Sequence, residues 1–179
     1  MTIRKRVITF LIVFLFSAAS GIHAASSEKR TVLFASFTAE NDSAKAYLPV
    51  LQQLVDRQAR ISGGYTIRKT DQNVALTAAA ERKTEILSAL ARQATADYVV
   101  FGSVAAENSR GVVSINAYIF DAADTKTVAL KPVVTESGAR FINGCDDVSG
   151  RVYRSLLQLA RGEAVSDTVQ ETATSHPSL

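Results

Sequence analysis

An α/β fold, a mixed sheet with helices available to cover both faces, is predicted by three stretches of this chain. The stretch Ala96 to Val104 (ADYVVFGSV) is apolar at six of nine positions and shows no alternation of wet and dry faces. Such a run reads as a strand covered on both sides, the centre of an α/β sheet. A stretch of helical periodicity ending at Ala94 precedes it, and Val112 to Phe120 follows with alternating residues. These two neighbours supply a helix to cover the strand and a partner to pair with it.

Composition bounds the rest. A chain of 179 residues suits one domain with extensions and a sizeable core. Residues 1–24 have the three parts of a secretory signal: charges at Arg4, Lys5 and Arg6, an apolar run Val7 to Phe16, and small residues from Ser17 onward. The run is shorter than the roughly 20 residues that span a bilayer. Cleavage is expected between Ala24 and Ala25, with an uncleaved anchor as the alternative. The signal carries three of the 20 Lys+Arg, so its removal leaves 17 against 17 Asp+Glu, a neutral body. Neutrality argues against a general nucleic-acid binder, which needs a basic face. No cysteine follows the apolar run, so the expected product is an exported, periplasmic protein that is soluble, carries no lipid anchor and has no stable membrane insertion. Cys145 is the one cysteine, which excludes an intramolecular disulfide. Its place on the apolar stripe of a predicted helix favours a small buried hydrophobe over a reactive thiol.

Taken in order, Thr31 to Phe37 is β-rich and forms strand one. Helix one holds Tyr47, Val50, Leu51, Leu54 and Val55 at helical spacing, with Pro49 near its start and Gly63 and Gly64 at its end. Strand two, Tyr65 to Lys69, is half polar and suits an edge, and Asp71 to Asn73 reads as a turn. Helix two, or a pair of short helices, fills Val74 to Ala94. The central strand runs Asp97 to Ala105, and strand four, Val112 to Phe120, turns Val113, Ile115, Ala117 and Ile119 to one side. Strand five, Thr127 to Glu136, contains Pro132, which confines it to an edge. Helix three, Phe141 to Ala160, has Ile142, Cys145, Val148, Val152, Leu156 and Leu159 as its stripe, with Gly144 and Gly150 weakening it locally. Residues 162–179 form a polar tail expected to be disordered. The order βαβαβββα places strands one to three parallel through right-handed crossovers, followed by a meander. The sum is a mixed five-stranded sheet.

Three segments carry a family likeness: the Thr31 to Phe37 strand, Tyr47-Leu48-Pro49 opening a helix with Leu51 and Leu54, and Ala96 to Val104 paired with Val112 to Asp121. Over residues 31–161 the chain resembles the amino-terminal domain family of TolB, with its CsgG-like, FlgO-like and LpoB-like relatives. The resemblance implies an anticodon-binding-like three-layer α/β/α sandwich, strand order 2-1-3-4-5, strand four antiparallel. It also implies a non-enzymatic envelope protein that assists secretion, flagella or envelope assembly by binding other proteins.

The chemical inventory agrees. The two histidines, His23 and His176, lie in the signal and the tail, which leaves residues 31–161 without the side chain suited to proton transfer near neutral pH. No nucleotide-binding glycine loop, nucleophile elbow or metal-ligand cluster occurs, so no catalytic residue, cofactor or metal is expected. Carboxylates at Asp97, Asp121, Asp124, Asp146 and Asp147 fit caps, turns and a helix start. The competing reading is a small-ligand binder or carboxylate hydrolase in a crevice at the carboxyl ends of strands one and three, Thr38 to Asp42 and Ala105 to Ser109. The preferred reading is contact with envelope proteins through a sheet edge, with self-association and nucleic acid respectively allowed and excluded. The candidate edge is strand two, with Tyr65, Ile67 and Lys69 as its residues.

Overall fold

The computed structural model describes residues 29–61, 63–74, 79–107 and 110–169. Residues 1–28 and 170–179 lie outside these, and with them the expected signal, the Ala24/Ala25 cleavage site and the end of the tail.

The chain is an α/β protein built on a mixed, open sheet of seven strands rather than five. Strand β1 (Thr31–Ser36) pairs in parallel with β3 (Thr66–Asn73) on one side and β4 (Tyr98–Glu107) on the other. Past Phe37, the two-residue β2 (Thr38–Ala39) continues alongside β4. Next to β4 runs antiparallel β5 (Val112–Asp121), and both β6 (Lys126–Ala129) and β7 (Val133–Glu136) pair with β5. The sheet therefore reads β3-β1-β4-β5-β6, the expected order with its last strand divided. The division falls at Pro132, which has no N–H to give the ladder. Leu130 keeps the segment in place by donating its N–H to the carbonyl of Ala117.

The central strand is where the sequence puts it. Tyr98 to Val104 are buried without interruption, because each face of β4 has its own apolar layer. One layer is made by helix α1 (Leu48–Ile61) and helix α3 (Ala139–Ala160) over Val32, Phe34, Val100, Ile115 and Ile119. The other, smaller layer packs helix α2 (Ala80–Ala94) through Leu87, Leu90 and Ala91 onto Leu33, Val99, Phe101 and Phe120. Strand β5 alternates as its sequence requires, Val113, Ile115, Ala117 and Ile119 being buried.

Local sequence explains most element ends. A 3-10 turn, Asp42–Tyr47, leads into α1, and the Asn41 side chain caps it by accepting from the N–H of Ala44 at 3.0 Å. Pro49 is the second residue of α1, where a missing N–H costs no helical hydrogen bond. Tyr47 and Phe141 meet edge to face at 4.7 Å between ring centroids, joining the starts of α1 and α3. Gly144 lies inside α3 because the helix there passes close over Thr135 of β7, and an added Cβ would meet the threonine side chain at 2.8 Å.

Four expectations need correction. Strand two extends to Asn73 instead of turning at Asp71, since pairing with the end of β1 (Ser36 opposite Asn73) outweighs the local turn chemistry. The extra residues form an irregularity between Thr70 and Asn73. Ile142 is 47 % exposed, one position off the buried stripe of α3. Helix α3 starts at Ala139, so Asp146 and Asp147 sit beyond the first turn, where the helix dipole no longer favours them. Asp147 instead binds Arg151 at 2.8 Å one turn on. Residues 163–169, expected within a disordered tail, return along the sheet. Asp167 accepts from the N–H of Lys131, Thr168 bridges Leu130, and Val169 donates to Ala129. These are backbone bonds, so they need no apolar periodicity.

Candidate functional site

The two ends of the sheet differ. Beyond β6, the second half of the strand and the residues after it are covered by 167–169. Beyond β3 no strand follows among the described residues. The N–H of Thr66 donates inward to Arg30 at 2.9 Å. Alternation along a strand then turns the N–H and C=O groups of Ile67 and Lys69 outward, where they have no strand to pair with.

The three residues named for this edge take different positions. Ile67 is half-buried against the α1–α3 layer, so it offers its backbone to the edge but not its side chain. Lys69 lies on the same face and forms an ion pair with Asp56 of α1. Tyr65 precedes β3 and turns inward, its ring standing perpendicular to that of Tyr153 at 6.4 Å. Its hydroxyl is buried without a hydrogen-bond partner among the described residues. Burial pushes this phenol up to about 12, aided by the nearby Tyr98 and Tyr153 hydroxyls. An orphaned hydroxyl is costly in the folded state, so Tyr65→Phe should stabilise the domain by about 1 kcal/mol. That is a rise of roughly 3 °C in a thermal melt. An unchanged or lower melting temperature would show that the hydroxyl is satisfied.

An edge residue absent from the sequence reading is Arg68. It is exposed on the α2 side of β3. It makes no hydrogen bond or ion pair among the described residues. Arg68 also rims a cleft of about 240 Å³ between β3 and α2, lined further by Leu33, Lys69, Thr70, Leu90, Gln93 and Ala94. Alternation of charged residues in a polar edge strand was the available signal. What it lacked was the placement of α2, which leaves this cleft open.

Of the alternative crevice, residues 108–109 lie outside the described residues. At the carboxyl ends of β1 and β4 the chain lies down as β2 and the 3-10 turn, tied by Thr38 Oγ1 to the Gly102 carbonyl and by Asn41 Nδ2 to that of Ala106. The carboxylate of Glu40 accepts from Ser103 Oγ and, at 3.3 Å, from Asn116 Nδ2. Ser103 is fully buried. Asp97 stands at the opposite end of β4, about 20 Å away at the usual strand rise, and accepts from the N–H of Thr31 at 2.7 Å. Asp121 caps its own turn by accepting from the N–H groups of Ala123 and Asp124. These acids are occupied separately, and among the described residues no group of three His, Cys, Asp or Glu could hold a metal. No helix among them is long and apolar enough to cross a membrane.

Cys145 is buried, its thiol facing the α1–α3 layer. Desolvation, reinforced by Asp146, pushes that thiol from 9.0 up to about 12. The folded thiol therefore holds a proton that the unfolded chain releases. Its contribution to stability is complete below about pH 9 and is lost as pH rises from there toward 12. Denaturant melts at pH 7.5 and pH 10.5 check this: Cys145→Ala should lose less stability across the interval than the wild type, and an equal loss would refute it.

No family model matches the chain, and no curated protein does. Several solved structures align with part of the chain. A PelC dodecamer from Paraburkholderia phytofirmans aligns with a TM-score of 0.47 and 16 % identity, over 69 % of this chain and 84 % of that one. TolB from Acinetobacter baumannii aligns at 0.44 and 17 % identity, over 72 % of this chain and 28 % of TolB. Lipoprotein GNA1162 from Neisseria meningitidis aligns at 0.41 and 13 % identity, over 73 % and 96 %.

Proposed function

We propose that the chain is an exported, non-enzymatic contact module of the cell envelope, which captures a partner protein by adding a strand to β3. The observation carrying this reading is the outer edge of β3, unpaired among the described residues, whereas the far edge is covered in part by residues 167–169. The signal-like residues 1–24 support export, and the acids held apart by their own caps and turns support binding without turnover. A partner strand would gain backbone hydrogen bonds at Ile67 and Lys69 with little rearrangement.

The test is a photo-crosslinking residue at position 68, with position 124 as the control, in the native host. An adduct of defined mass should form from position 68 alone. It should vanish in Ile67→Pro, which removes an outward donor while leaving the β1 pairing intact. An adduct indifferent to that change would move the contact off the edge. N-terminal sequencing of the same protein should read from Ala25; a start at Met1 would remove the export claim.

A further inference from the structure

We infer that the protein pairs with a second copy of itself through the groove between α1 and α3, about a two-fold axis that runs along the groove. This contact is independent of the β3 edge. On α1, Val50, Leu54, Arg57 and Ile61 recur at spacings of three and four, which places them on one stripe. On α3, Ile142 and Asp146 stand one turn apart on the flank that faces this stripe. Leu54, Arg57, Ile61 and Asp146 border a hollow of about 360 Å³ between the two helices. Val50, Ile61 and Ile142 are exposed, so three of the five large apolar side chains left open among the described residues lie beside this one groove. Apolar side chains gathered in this way, rather than scattered singly, mark a contact surface.

The charges name the occupant. Arg57 and Asp146 are both exposed, and both line the hollow. Among the described residues neither forms an ion pair or a hydrogen bond. One cation and one anion on opposite walls make the surface complementary to itself. The two helices set out side by side from the Tyr47–Phe141 contact and run in the same direction, Val55 and Val152 meeting further along at a shared cavity. A two-fold rotation about the groove therefore exchanges its walls and lays each α1 on the α3 of the other copy. Arg57 of one copy then faces Asp146 of the other, twice over, while Val50, Ile61 and Ile142 leave water. An amphipathic helix of a different protein would have to bring a matching pair of charges, which the second copy already carries.

Sedimentation equilibrium of the purified protein over a concentration series reads the association. The wild type should show a monomer–dimer equilibrium. Arg57→Asp and Asp146→Arg each set like charges against one another across the two-fold axis, and each should raise the dissociation constant at least tenfold. Their melting temperatures, taken where the wild type is monomeric, should be unchanged. An equimolar mixture of the two variants should recover the wild-type affinity, because each offers the charge the other lacks; a pairing within one chain cannot be rescued this way. Ile67→Pro should leave the dimer intact. A monomer at every concentration, a dimer indifferent to both reversals, or a mixture no tighter than the variants alone would overturn the inference. A dimer lost in Ile67→Pro and kept in both reversals would assign self-pairing to β3 instead. A photo-crosslinking residue at position 61 that captures a different protein and no second copy would assign the groove to that protein.

Discussion

Val100→Asp is expected to prevent folding. Val100 is fully buried in β4, paired with Ile119 on one flank and Phe34 on the other. It points into the layer roofed by α1 and α3, where among the described residues no basic side chain is buried. An aspartate there must be desolvated unpaired or take up a proton, at several kcal/mol either way. That is comparable to the roughly 5–15 kcal/mol that holds a domain together. The variant should show no cooperative melt, whereas Ile142→Ala, at a 47 % exposed position, should change stability by less than about 1 kcal/mol. A folded Val100→Asp would mean that β4 is not the covered centre of the sheet.

Gly102→Ala has the second largest expected effect, from one methyl group. An added Cβ would collide with the carbonyl oxygen of Asn116 on β5 and with the ring of Phe37. The ring could move, but the carbonyl belongs to the β4–β5 ladder, in which Gly102 lies opposite Ala117. Overpacking against backbone should cost about 3 kcal/mol. The check is a denaturant titration of Gly102→Ala alone and with Phe37→Leu. Relief of the ring contact should leave most of the loss in place, because the carbonyl contact remains. Full rescue by Phe37→Leu would make the ring the sole obstacle, and no loss in the single variant would refute the close approach.

The parts legible in the sequence are those where side-chain pattern and burial say the same thing. Strand β4 was visible because both its faces are dry, β5 because only one is, and α1 because Leu51 and Val55 repeat at helical spacing. The break at Pro132 was half visible: the missing N–H placed the segment at an edge but did not reveal two strands sharing β5. Three features depended on distant backbone. Asp71 to Asn73 have turn chemistry yet extend β3, because the end of β1 offers them a partner. Residues 163–169 have no apolar period and are held by bonds to Ala129 and Lys131. At the candidate site, Ile67 and Lys69 lie in the end strand β3, and Tyr65 lies just before it. Its ring packs on Tyr153, a contact between residues 88 positions apart.

The return of residues 167–169 along Ala129–Lys131 has a consequence for assembly. A sheet with two bare ends can accept a strand at each, and successive molecules can then join into a fibre of open length. Here one end is already occupied in part by the molecule's own chain, and its remaining strands are only four residues long. If β3 takes a partner strand as proposed, this partial cover works against a second addition at the far end, and so against growth into a fibre.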